Sequence, residues 1–193
     1  MHKDNELTYG IPRFLSFIEL GYLLEAAKIT DAELAKKIEE AGSDEKDNVI
    51  GNVNATRQSL LRAVFVSAYA ILEQHLDEIS LMGKNKVSAT ISPNDLKDRG
   101  IKRSINYANK VLSWHIDQNK DHWTDLMVLQ RLRNHLVHYG PSFSNDNQHE
   151  KRWKEYKTIK YVSLRPMVCF SIEQIEDIFN LFMVCVDDFS KNA

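Results

Sequence analysis

The sequence predicts an all-α fold, a bundle of about five or six helices forming one domain. Three observations predict it. Only seven glycines and four prolines punctuate 193 residues. Apolar residues recur mainly three and four positions apart, the spacing that gathers them on one face of a helix. A hydrophobic content of 43% beside 27% charged residues is that of an ordinary globular chain, long enough to bury a sizeable core.

Residues 12–28 form the first helix, with Pro12 at an early helical position and Phe14, Leu15, Ile18, Tyr22, Leu23 and Ala26 as one apolar stripe. Thr30 and Glu33 have capping-box spacing, which opens either a second short helix to Ala41 or a continuation of the first. GSDEKDNVIG then reads as a loop. The best-defined helix covers 55–82: Leu61, Val64, Phe65, Ala68, Leu72, Leu76 and Ile79 fall on one side, and Gly83 closes the end. Ser92 as N-cap and Pro93 as first helical residue start a further helix. Gly100 breaks it, and Ile105, Ala108, Leu112 and Ile116 continue an apolar stripe to 117. Residues 122–139 follow, with Leu129, Leu132, Leu136 and Tyr139 facing inward, and Gly140 with Pro141 stops them. PSFSNDNQHEKR reads as a loop, whereas YKTIKYVSL and PMVCF, rich in β-branched and aromatic residues around Pro166, allow a short hairpin or extended segment near 156–170. Ser171 and Gln174 form a second capping-box spacing, opening a helix that buries Ile175, Ile178, Phe179, Phe182, Val186 and Phe189. The core bundle is expected over 55–190, with 1–50 as an N-terminal helical extension.

A net charge of −2 argues against a protein that coats nucleic acid by bulk electrostatics. Locally the balance differs. Lysines and arginines gather in 84–110 and 151–165, and acids in 31–47; these are solvated faces or a local phosphate-binding surface. No apolar run approaches the roughly 20 residues of a membrane span, and the polar start lacks a signal-peptide core, so the chain reads as cytoplasmic with no membrane partner. Cys169 and Cys185 sit among apolar residues and read as buried thiols, with neither a disulfide framework nor zinc spacing. No glycine-rich phosphate loop and no serine-nucleophile motif is present, and no cofactor is expected.

The chemistry concentrates in RLRNHLVHYG, residues 131–140. At about 100° per residue, Arg131, Asn134 and His138 share one side of the helix, opposite Leu129, Leu132 and Leu136. Arg133 lies next to Asn134, and its long side chain can swing to either flank. A cation, an amide and an imidazole together suit RNA cleavage without a metal. A neutral imidazole takes the 2′-hydroxyl proton while that oxygen attacks phosphorus, and an imidazolium protonates the leaving 5′ oxygen. Guanidinium neutralises the charge that builds on the phosphoryl oxygens. One such histidine per chain makes acid plus base awkward; a symmetric dimer that joins two copies of this helix end resolves it. His135 and His138, three apart, could instead share a metal, but no further ligands accompany them. The tryptophans Trp114, Trp123 and Trp153 suit core packing or base stacking.

Arg133-Asn134-His135-Leu136-Val137-His138 resembles the R-N-x-x-x-H signature of HEPN domains, small all-α domains of toxins, defence systems and RNA-processing proteins. The long apolar helix with an acidic tail that precedes it, AVFVSAYAILEQHLDEI, resembles the HEPN bundle as well. The resemblance implies a metal-independent endoribonuclease that leaves a 2′,3′-cyclic phosphate, works as a homodimer with a composite site, and belongs to a toxin–antitoxin or phage-defence setting with a protein antitoxin. Arg133 and His138 would be catalytic and Asn134 supporting, with Arg131, His135, Tyr139, Lys102 and Arg103 as substrate-binding candidates. Toxins of this family paired with a nucleotidyltransferase carry a tyrosine two positions after the histidine; here Tyr139 follows directly and Gly140 takes that place. The alternative is an inactive bundle of the same kind that binds RNA or protein without turnover.

Overall fold

The computed structural model describes residues 3–143 and 147–192. They form six α-helices and one two-stranded hairpin: α1 (Lys3–Glu40), α2 (Lys46–Val87), α3 (Gly100–Tyr107), α4 (Asp121–Tyr139), α5 (Asn147–Tyr156), β1 (Ser163–Leu164), β2 (Val168–Cys169) and α6 (Ile172–Lys191). The all-α expectation holds. Among the described residues no helix is long and apolar enough to cross a membrane.

The helix α2 is the centre of the bundle. Its seven expected core residues, Leu61 to Ile79, are all buried, and α1, α3, α4 and α6 pack around it. α6 is as legible. Its six expected core residues are buried, and both halves of the Ser171 and Gln174 capping box form, at 3.2 and 3.0 Å. The segment 163–169 closes as an antiparallel hairpin pairing Ser163 with Cys169 and Leu164 with Val168. Cys185 is buried and Cys169 partly so, both as free thiols.

Several elements depart from expectation. α1 is one helix from Lys3, so Pro12 lies inside it, and Thr30 caps nothing because its hydroxyl donates back to the Ala26 carbonyl at 2.8 Å. Its buried side is Ser16, Leu20, Ala27, Asp31 and Leu34; Phe14, Leu15 and Tyr22 face outward at 63%, 43% and 75% exposure. α2 begins at Lys46, nine residues before expectation, because Val53 is buried and Arg57 donates to Asp31 of α1 at 2.5 Å, extending the α1–α2 hairpin. Gly83 is therefore an interior residue of α2, not its end. Ser92 to Asp95 make a 3₁₀ turn with its own capping bond, Ser92 N–H to Asp95 Oδ2 at 2.7 Å, and α3 starts at Gly100. Helical structure after α3 stops with a π turn at Leu112 instead of reaching 117. There Asn109 folds the chain back on itself, donating to the Ile116 carbonyl at 2.9 Å and accepting from its N–H at 2.6 Å. Residues 147–152, read as loop, belong to α5; Ser144, Asn145 and Asp146 lie outside the described residues.

Two contacts set α4 in place. Asp188 of α6 accepts from Trp123 Nε1 at 2.8 Å and from Lys120 Nζ at 2.6 Å at the start of the helix, so the N-terminal end is clamped to the bundle. At the other end Gly140 adopts φ +77°, a conformation that costs glycine nothing, and its N–H donates to Leu136 at 3.2 Å. Trp114 and Trp123 both pack edge-on against Phe189, at 5.5 and 6.2 Å between ring centres, and serve the core.

Candidate functional site

Gln130, Arg133, Asn134 and His138 are three, four and eight positions apart on α4, a spacing that gives them a common face. That face opens into a cavity of about 470 Å³. α2 supplies Glu73, Gln74 and Asp77 to its wall, and the start of α3 supplies Arg99, Gly100 and Arg103. Arg133, Asn134 and His138 thus line one cavity.

Arg133 is held on three sides. Its Nη2 lies 3.4 Å from Glu73 Oε2, its Nη1 donates to Asn134 Oδ1 at 3.0 Å, and its guanidinium lies 5.8 Å from the centre of the Tyr69 ring. Burial pushes the Glu73 carboxyl above its ordinary range, with Arg133 opposing and Asp77 reinforcing the shift. Arg103 pairs with Asp77, whose other oxygen accepts from Ser104 at 2.6 Å. Gly100 has φ +59°, which favours glycine, and a β-carbon there would push aside the ends of the Glu73 and Gln130 side chains, the latter at 2.9 Å. α3 starts at this rim without a side-chain cap on its first N–H groups, which adds partial positive charge to that of Arg99, Arg103 and Arg133.

The other candidates lie elsewhere. Arg131 does not face His138. It pairs with Glu155 of α5, Nε to Oε1 at 2.6 Å, because the long side chain swings toward the carboxylate that α5 brings alongside. Lys102 is exposed and lies 3.8 Å from Asp98, outside the cavity. Tyr139, expected inward, is 57% exposed and carries the Arg152 guanidinium over its ring at 4.6 Å. His135 is core. It is 1% exposed, stacked on Phe143 at 4.5 Å, and edge-on to His149 and Tyr156 of α5 at 5.2 and 6.0 Å. His75 is buried too, between Glu19 at 3.0 Å and Glu78 at 3.2 Å. Among the described residues no three His, Cys, Asp or Glu side chains gather as a metal ligand set.

Glu73, Gln74, Asp77, Arg99, Gly100 and Gln130 are the members that reading the sequence missed. One signal was available: the acids of α2 are four apart, as are Arg99 and Arg103, so a carboxylate pair and a guanidinium pair can face each other across two helices.

The buried His135 has a pH consequence. Burial, reinforced by His149, lowers its pKa from 6.5, so the folded chain holds it neutral while the unfolded chain takes up a proton. Stability is therefore full above 6.5 and falls as the pH drops below it. Urea midpoints at pH 7.5 and 5.5 measure this. The acid-induced drop is expected to shrink in His135→Phe, which keeps the stack on Phe143; an unchanged drop would assign it to other groups.

Compared with family models, with curated proteins and with solved structures, the chain finds no match in any of the three.

Proposed function

We propose that this protein is an endoribonuclease of the HEPN type, acting in the cytoplasm without a metal on RNA. The observation that carries the reading is the convergence of Arg133, Asn134 and His138 on one arginine-rich cavity. In the forward step the His138 imidazole takes the 2′-hydroxyl proton, the 2′ oxygen bonds to phosphorus, and the bond from phosphorus to the 5′ oxygen breaks. An imidazolium protonates that leaving oxygen, and the products are a 2′,3′-cyclic phosphate and a free 5′-hydroxyl. Arg133 faces the phosphoryl oxygens as their charge grows, with Glu73 and Asn134 fixing the guanidinium edge. Asn134 also offers its amide N–H to a phosphate oxygen.

His138 is exposed at the mouth of the cavity, where a second imidazole can approach from outside the chain. A homodimer with one histidine from each copy supplies acid and base together. A toxin–antitoxin or defence role, with a protein antitoxin as a further partner, follows from the resemblance alone.

A second reading is favoured by one feature: Arg103 and Arg133 are each already engaged by a carboxylate, as in a site that binds RNA or protein and does not turn over. Incubating the protein with single-stranded RNA in EDTA separates the two. Cleavage with 2′,3′-cyclic phosphate ends is the expected result. RNA retained intact, with salt-sensitive binding, would leave only the binding module.

A further inference from the structure

α2 and the end of α4 also line a second opening, of about 320 Å³. Its lining differs in kind. Arg62, Ala63, Val66 and Ser67 come from α2, Leu136 from α4 and Pro141 from the turn after it, so a single cation and no carboxylate face it. Val66 and Ser67 precede Glu73 and Gln74 by seven residues, about 10 Å along the helix. On the other wall Leu136 lies on the side of α4 opposite Asn134 and His138, so α2 alone joins the two openings. Along that shared α2 face the opening is about 10 Å from the cavity where a phosphodiester would react.

Two of its walls are fixed through one residue of the hairpin. Arg62 Nη1 donates to the Val168 carbonyl at 3.1 Å, and the Val168 N–H donates to the Pro141 carbonyl at 2.8 Å. The guanidinium is thus pinned as a flat cationic plate in place of a mobile surface arginine. Val66 and Leu136 present half-buried apolar surface, while Ala63 and Ser67 are exposed and small, leaving the mouth open and a hydroxyl at its edge. A pinned guanidinium plane, an apolar wall and one weak hydrogen-bonding group recognise a flat aromatic ring with polar edges.

We infer that this cleft is a nucleobase subsite, which takes one unpaired base of the RNA strand next to the cleaved phosphodiester. The inference rests on the nuclease reading and deepens it to a substrate class. A base inside an A-form helix is stacked and paired, and its edges lie in grooves that this cleft cannot enter; only a base free to swing out can fill it. Unpaired RNA is then the substrate, and the Arg62 plate selects it by stacking, with little preference for sequence.

Ser67→Trp closes the cleft from an exposed position, leaving the core untouched. With single-stranded RNA the expected result is a KM raised about ten- to a hundredfold, the range for one stacked base, with kcat retained. Arg62→Lys, which keeps the charge and loses the plate, is expected to move the same way. An abasic ribose, placed in turn at each position flanking the cleaved bond, is expected to raise the wild-type KM at one position and to abolish the difference between wild type and Ser67→Trp there. Cleavage by wild type with no such dependence on any base would overturn the subsite and leave the nuclease standing. A wild-type protein that cleaves no RNA removes the nuclease reading and the subsite with it. A change of oligomeric mass in Ser67→Trp would make the cleft a contact between copies and would likewise overturn the subsite.

Discussion

If the proposed nuclease activity holds, alanine at His138 is expected to lower the rate of RNA cleavage by about a hundred- to ten-thousand-fold, the usual contribution of a positioned general acid or base. The thermal midpoint stays where it was. The imidazole is exposed, with the ring of Tyr139 edge-on to it at 6.4 Å, so removing it takes away chemistry while the buried packing stays. Initial rates on end-labelled RNA in EDTA, paired with melting by circular dichroism, read both quantities. Arg131→Ala is the matched control. It deletes a cation about two helical turns closer to the N-terminus of α4, yet that side chain belongs to Glu155 and the rate is expected to stay unchanged. Equal rates for wild type and His138→Ala would remove the nuclease reading. A rate loss in Arg131→Ala as large as in His138→Ala would place the reacting phosphate on the α5 side of the helix.

Gly83→Ala destabilises the fold by about 1–3 kcal/mol, the cost of forcing an extra carbon into a filled site. Elsewhere the sign is opposite. In an exposed helix interior the same exchange gains about 1 kcal/mol, and Gly51, earlier on the same helix with nothing within 4 Å of its missing β-carbon, should show that gain. At Gly83 a β-carbon would meet the Trp114 ring and lie 2.7 Å from Leu112 Cδ1. Neither neighbour can retreat, since Trp114 is 8% exposed and already braced against Phe189. For a chain of this size each kcal/mol moves the melting temperature by about 2–4 °C, so scanning calorimetry of the two alanine variants resolves the opposite signs. A stabilised Gly83→Ala would mean that the segment carrying Leu112 and Trp114 yields easily.

α4 and α6 were legible in the sequence because each has one apolar stripe and clear end signals, so local pattern and global packing agree; α2 showed its stripe, but its ends, at Lys46 and Val87, carried no such signal. α1 was not legible, since it is apolar on two sides. Phe14 and Tyr22 outweigh Leu20 and Ala27 in any local window, but α2 and α6 receive the smaller side chains, and Asp31 is drawn inward by Arg57. α5 was missed because NQHEKRWKEY is almost wholly polar; Trp153 on Phe143 at 4.9 Å and Tyr156 on His135 hold it to α4. In the site, the triplet on α4 could be read directly. Choosing between Arg131 and Arg133 could not, because the choice is made by Glu155 and Glu73, which lie 24 and 60 residues away in sequence. Gly100 and Arg99 join the cavity only through the way α3 meets α2.

The two histidines of the signature helix, three residues apart, live in different media: His138 in water, His135 in a nest of aromatic rings. Acidification therefore acts on this turn of helix from its inner face, where protonation of His135 is disfavoured and the seat that carries His138 is loosened. An acid-induced loss that disappears in a chain with phenylalanine at 135 would belong to that seat.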